Sequence, residues 1–143
     1  MRVEFTKLDP SVSLPRRARQ GDAGLDLAAN ADAKVGPGER AMIPTGLAVA
    51  IPEGHAGLVL PRSGLASKRG LTLSNSPGLI DAGYRGEVTI AVVNLDPIES
   101  VEISRGDRIA QLLVVPFAEV EPAEVPELPD SDRGQRGFGS SGT

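Results

Sequence analysis

Glycine and proline interrupt this chain so regularly that no long helix can form, and that punctuation restricts the fold more than any other feature. The 17 glycines and 12 prolines among 143 residues are dispersed rather than clustered, the spacing expected of many short strands joined by turns. Val3-Glu4-Phe5 alternates, and Arg40-Ala41-Met42-Ile43 follows the turn Gly36-Pro37-Gly38. Residues 47–51 and 57–60 flank Pro52-Glu53-Gly54 and read as a hairpin. The runs VTIAVVNL (88–95) and RIAQLLVVP (108–116) are nearly continuous in apolar character, which predicts central strands. Between them lie the turn LDPIES and a short strand, Val101-Glu102-Ile103. One helical turn is expected, SGLASKR (63–69), with Ser63 as its N-cap. Aromatic residues make up only 3% of the chain, so Val, Ile, Leu and Ala must fill the core. A domain of this size buries roughly 70% of its unfolded surface. The expectation is one all-β domain.

Composition changes near residue 118. The segment AEVEPAEVPELPDSD carries six carboxylates spaced by prolines and cannot bury enough apolar surface to order itself. RGQRGFGSSGT follows, with a lone Phe138 among glycines, serines and arginines. The chain therefore divides into a body, residues 1–117, and an acidic linker with a glycine-rich C-terminal arm, residues 118–143. That arm reads either as a flexible tail or as a lid whose phenyl ring stacks on a planar base.

The net charge of −4, with no basic block, argues against nucleic acid and anionic membrane as partners. No apolar run approaches a membrane span, and the N-terminus has no signal-peptide core, so a cytoplasmic protein is expected. Cysteine is absent and His55 is the single histidine, which argues against thiol nucleophiles, a Ser-His-Asp triad and catalytic zinc. Neither of the common glycine-rich phosphate loops appears. Hydrolysis in such a chain must rely on carboxylates, arginines, backbone amides and a hard cation.

Three stretches carry such groups. PRSGLASKRG (61–70) offers Arg62, Ser63 and Gly64 at a helix start, either a phosphate cradle or a capped surface turn. RGDRIAQLL (105–113) places Gln111 inside an apolar strand, where its amide serves the core or a ligand; Arg105-Gly106-Asp107 itself reads as a hairpin turn. SNSPGLIDAGYRGEV (74–88) sets Asp81 at the mouth of a glycine-built hairpin with Tyr84, the sole tyrosine, at its tip.

These stretches, with DAGLDL (22–27) and RGQRGFGSSG (133–142), stand in the order and spacing of five motifs, and over nearly its whole length the chain resembles the homotrimeric dUTP pyrophosphatases (dUTPases). The resemblance implies a distorted jelly-roll β-barrel with one short helical segment, assembled as a homotrimer whose active sites draw motifs from more than one subunit. It implies hydrolysis of dUTP to dUMP and pyrophosphate with Mg²⁺, limiting uracil in DNA and supplying dUMP for dTMP synthesis. Asn75, main-chain groups of Gly78, Leu79 and Ile80, and Thr89 would read uracil. Cytosine would leave buried groups unpaired, a mismatch that can discriminate by roughly 10⁴ or more. Tyr84 would pack under the deoxyribose and exclude a 2′-hydroxyl. Asp81 would meet the 3′-hydroxyl and act as general base toward the attacking water, a role contributing roughly 10²–10⁴ in rate. Gln111, Ser63 and Gly64 would hold the α- and β-phosphates, with Arg62 and Arg133 near the outer ones. Asp26 would reach Mg²⁺ through water, the phosphates chelating most of it. Phe138 would stack on uracil while Gly139 and Ser140 close over the phosphates.

One residue departs from the pattern: Arg136 stands where the family's last motif has glycine, and it either faces solvent or adds a phosphate contact. Two other readings compete. A dCTP deaminase of the same superfamily, bifunctional or not, would need polar groups tuned to cytosine N4 and a catalytic glutamate near the base; Glu87 lies beyond the hairpin tip, and Asn75 with Tyr84 favours uracil. A non-catalytic trimeric binding module would have no need of Asp81, Arg62, Gln111 and Phe138 together.

Overall fold

The computed structural model describes residues 1–135 and 137. The described residues form ten strands and one helix. In chain order these are β1 (Glu4–Lys7), β2 (Leu25–Ala28), β3 (Ala33–Val35), β4 (Arg40–Ala50), β5 (His55–Pro61), α1 (Ser63–Arg69), β6 (Leu71–Leu73), β7 (Gly78–Ile80), β8 (Glu87–Asn94), β9 (Val101–Ile103) and β10 (Arg108–Pro116). One antiparallel sheet runs β1-β4-β8-β6, a second runs β2-β10-β5-β7, and β3 pairs with β9 in a third. The two longest apolar runs, β8 and β10, take interior positions as their composition predicts. A single apolar cluster joins the sheets, with Leu27, Val59, Ile80 and Leu112 meeting Ile43, Val49, Ile90 and Val92. From residue 118 to 135 the chain has no regular element and is exposed.

Three turns expected to close hairpins instead carry the chain from one sheet to another. β4 pairs with β1 and β8 while β5 pairs with β10 and β7, so Pro52-Glu53-Gly54 is a crossover. Asp81–Gly86 likewise joins β7 to β8 in different sheets, and Arg105-Gly106-Asp107 joins β9 to β10. Apolar alternation reveals a strand but not its partner, and in a two-sheet body the nearest strand in sequence need not be the nearest in space.

Residues 40–43 and 47–50 belong to one strand, β4, interrupted by a bulge. Pairing with β8 runs from Arg40 to Pro44, opposite Thr89, and resumes only at Ala48, opposite Glu87. Gly46 supplies the positive φ of 69° that this irregularity needs. The buried Thr45 hydroxyl donates to the Val88 carbonyl at 2.6 Å and accepts from the Leu47 amide at 3.3 Å. The bulge is thus tied to β8 where the ladder is interrupted.

Candidate active site

The stretch around Asp81 folds into a cavity because β7 is an edge strand. It pairs with β5 on one side only, Gly57 opposite Ile80 and Val59 opposite Gly78. Among the described residues its other edge has no strand partner, so its backbone polar groups are available there. Across this edge lies a cavity of about 240 Å³ lined by Val59, Asn75, Gly78, Leu79, Ile80, Tyr84, Glu87, Val88, Thr89 and Ala91. Ile80 turns into the core whereas the Leu79 side chain is exposed, as strand alternation requires. Gly78 is buried, and a Cβ there would lie 3.2 Å from the Asn75 amide nitrogen and 3.3 Å from Val59 Cβ. Only glycine keeps that space without pushing Asn75 away.

Asp81 follows directly, exposed at the cavity's end. Its carbonyl accepts the Tyr84 amide at 3.0 Å, closing the turn, and Arg85 braces the turn from outside by donating to the Tyr84 carbonyl at 2.8 Å. The Tyr84 hydroxyl donates to the Glu87 carbonyl at 2.9 Å. Its ring lies so close to Gly86 that a Cβ at that position would overlap it. The isolated tyrosine is therefore laid against the backbone of its own turn as one wall of the cavity.

A second cavity, about 480 Å³, opens beside α1 and is lined by Asp22, Gly24, Asp26, Arg62, Ser63, Gly64, Lys68 and Gln111 among others. Here the structure revises the expected capping: Arg62, not Ser63, occupies the N-cap position, and no side chain caps the helix. The first amides of α1 therefore lack the side-chain acceptor that an ordinary surface turn would supply. Asp26 sits on β2 opposite Gln111 of β10. Its carboxylate receives Arg108 at 2.9 Å and Arg62 at 3.4 Å, and its side chain is only 15% exposed. Arg62 also donates to the Arg108 carbonyl at 2.9 Å. These bonds hold one guanidinium at the helix start, where it combines charge with nearby amides and the Ser63 hydroxyl. Gln111 is half-buried and donates to the Pro61 carbonyl at 3.0 Å, while its amide oxygen lies against Gly24, where any Cβ would collide with it.

Asn75, Gly78, Leu79, Ile80, Tyr84 and Thr89 thus meet in the first cavity with Asp81 at its end, and Asp26, Arg62, Ser63, Gly64 and Gln111 meet in the second. The two cavities share no lining residue. Arg133 joins neither; its guanidinium donates to the Gly137 carbonyl at 3.2 Å. Arg136, Phe138, Gly139 and Ser140 lie outside the described residues. His55, read from the sequence as a turn residue, is instead the first residue of β5, opposite Pro116 of β10, with its ring nitrogen 3.0 Å from the Glu53 carbonyl. Sequence reading missed Arg108 and Gly24, whose only signal is proximity to Gln111 and Asp26 across strand pairing. It also missed that the Glu87 carboxylate accepts the Gly46 amide at 2.7 Å.

Among the described residues, no group of three or more His, Asp or Glu side chains is placed to hold a metal ion. An ion here would need ligands from something anionic in the second cavity. Two of the roughly four lone-pair directions of the Asp26 carboxylate are spent on arginines, leaving capacity for water. No helix among the described residues is long and apolar enough to cross a membrane.

Comparison with known proteins converges on one family. A family model described as dUTPase matches residues 11–142. The deoxyuridine 5′-triphosphate nucleotidohydrolase of Thermobifida fusca is 51% identical over 99% of this chain and 79% of its own length. A mutant dUTPase of Staphylococcus bacteriophage 80alpha, solved with dUpNHpp, superposes with a TM-score of 0.91 at 34% identity, covering 99% of both chains. A mutant dUTPase of the S. aureus phage phi11, described for its coordination of a structural Mg(II) ion, superposes with a TM-score of 0.81 at 30% identity over 89% of this chain and 98% of its own. A β-strand edge opening on a cavity of about 240 Å³, an arginine-lined hollow at a helix start and a match across nearly the whole sequence agree: this chain belongs to the dUTPase family.

Proposed function

We propose that this chain hydrolyses dUTP to dUMP and pyrophosphate, using the β7–β8 cavity for deoxyuridine and the α1 cavity for the triphosphate. The observation that carries the reading is the open edge of β7, flanked by Asn75 and Thr89 and ending at Asp81. A strand edge presents alternating donors and acceptors, the complement of uracil's own edge, and cytosine would mispair with it. At about 240 Å³ the cavity is smaller than sites that enclose whole drug-sized ligands, which suits a nucleoside whose phosphates lie elsewhere. Tyr84 walls it where a ribose hydroxyl would project.

Asp81 takes a proton from water as the water oxygen bonds to the α-phosphorus; the bond from phosphorus to the bridging oxygen breaks, and its electron pair leaves with pyrophosphate. Charge developing on the phosphates is met by Arg62 and by the uncapped amides and hydroxyl at the start of α1. Mg²⁺, when bound, would neutralise the triphosphate; Asp26 would hold it through water, and its remaining lone pairs fit that role. Because one chain offers the two cavities on separate linings, the complete site is best assembled between copies, in a homotrimer of jelly-roll subunits. Residues 118–143 would carry Arg133, Phe138, Gly139 and Ser140 to it as a closing arm. The setting would be the cytoplasm, and the benefit a lower uracil content in DNA.

Glu87 does not favour the deaminase alternative, since its carboxylate is committed to the Gly46 amide rather than offered to a base. Pyrophosphate release from dUTP, UTP and dCTP, measured beside ammonia release from dCTP, tests the proposal. Pyrophosphate from dUTP alone is expected; ammonia from dCTP, or equal turnover of UTP, would contradict it.

A further inference from the structure

The turn that carries Tyr84 is exposed from Gly83 to Gly86, yet its ring has to stay within a fraction of an ångström of one position to exclude a single hydroxyl. What anchors it is the first residue of β8. The Tyr84 hydroxyl donates to the Glu87 carbonyl at 2.9 Å. The Glu87 carboxylate in turn accepts the amide of Gly46 at 2.7 Å, and the adjoining Thr45 hydroxyl donates to the Val88 carbonyl at 2.6 Å. These bonds cross the gap where the β4–β8 register breaks between Pro44 and Ala48. The Gly46 end is itself fixed: its φ is 69°, and a Cβ there would lie 2.8 Å from the Asn30 amide nitrogen and 2.9 Å from a Val12 methyl. Its carbonyl accepts the Leu8 amide at 2.8 Å.

We infer that Glu87 is a positioning residue for sugar discrimination, its carboxylate locking the carbonyl on which Tyr84 hangs to the bulge of β4. The inference rests on the nucleoside reading of the β7–β8 cavity. Without the carboxylate, the start of β8 opposite the bulge loses one of its ties, and the ring gains the freedom to move aside for a 2′-hydroxyl. Positional errors of about 1 Å at a substrate wall are enough to change rates by large factors. The charge is not what matters, since a glutamine oxygen can accept the same amide.

The test is the ratio of kcat/KM for dUTP to that for UTP in the full-length protein, alongside thermal unfolding. Glu87→Ala should lower the ratio at least about tenfold, chiefly through faster UTP turnover, whereas Glu87→Gln should stay within about threefold of the unsubstituted protein. Tyr84→Phe, which keeps the ring and removes only its bond to the Glu87 carbonyl, should also lower the ratio, and it decides the matter if Glu87→Ala does not fold. An unchanged ratio in Glu87→Ala, or equal slowing of both substrates, overturns the inference while leaving the nucleoside reading intact. So does an unchanged ratio in Tyr84→Phe, or a loss in Glu87→Gln equal to that in Glu87→Ala. A protein that shows no preference for dUTP before substitution overturns the nucleoside reading, and this inference with it.

Discussion

The two cavities of this chain are built by opposite means. The β7–β8 cavity is lined by strand backbone, glycine, apolar side chains, one amide, one phenol, the Thr89 hydroxyl and a single carboxylate, Glu87, which already accepts the Gly46 amide, with Asp81 just beyond its wall. The α1 cavity is lined by charge: Arg62 and Lys68 beside Asp22 and Asp26, with a neutral amide at Gln111. On the proposed reading the first would recognise by shape and by buried hydrogen bonds, which discriminate sharply because a wrong partner leaves polar groups unpaired. The second would hold by electrostatic attraction, which is strong for any polyphosphate and selects little. A nucleotide gripped by both would receive its identity from one and most of its transition-state stabilisation from the other.

Substitutions should divide the same way. Asp81 aside, the largest effect is expected at Arg62. Arg62→Ala should lower kcat for dUTP by about 10²–10³, the loss typical of one preorganised donor to a developing anion. The preference for dUTP over UTP should be unchanged, and the affinity that remains should depend less on salt. Steady-state kinetics at two ionic strengths check it; a change in nucleoside preference would mean that the cavities are not separable. Gly78→Ala probes the other cavity. With only 3.2 Å to the Asn75 amide nitrogen, the added methyl should displace that amide and raise KM for dUTP by about tenfold, an effect of roughly 1–3 kcal/mol as for a methylene misfit. Inhibition by free pyrophosphate should be unaltered. Equal weakening of pyrophosphate would contradict the division.

The smallest effect concerns the scaffold. Asp9 accepts the Ser11 hydroxyl and the Ser11 amide, with the Asn30 side chain and Arg105 adding to them. These contacts, the Ser11 hydroxyl foremost, hold its carboxyl down at about 2. A carboxylate with a lowered pKa contributes stability that is present above about pH 4 and lost as pH falls toward 2. Melting temperature should therefore fall across that window, and less steeply in Asp9→Asn. An identical slope in the variant would remove Asp9 from the account.

Sequence made the strands legible because Gly and Pro bracket short apolar runs, and it made the family and a set of candidate site residues legible because five motifs stand in order. Partners were not legible. The turns at 52–54, 81–86 and 105–107 read as hairpins, since local pattern says where a strand is but not which sheet receives it. The bulge at Thr45–Gly46 was invisible because Pro44 and Gly46 look like the end of one strand, not an irregularity inside a longer one. Arg108 and Gly24 became candidates only when pairing of β2 with β10 set them against Asp26 and Gln111. Ser63 was expected to cap α1; Arg62 takes that position instead, drawn by Asp26 and the Arg108 carbonyl, contacts between residues far apart in sequence.

The central claim places chemistry on Asp81, directly after β7 at the end of the β7–β8 cavity. Asp81→Asn keeps the side chain's size and removes its capacity to take a proton, so turnover of dUTP should fall by at least about 10²–10⁴ while dUpNHpp binds, by calorimetry, within a few-fold of the unsubstituted protein. Turnover by Asp81→Asn close to that of the unsubstituted protein, with binding equally intact, would show that another group activates the water.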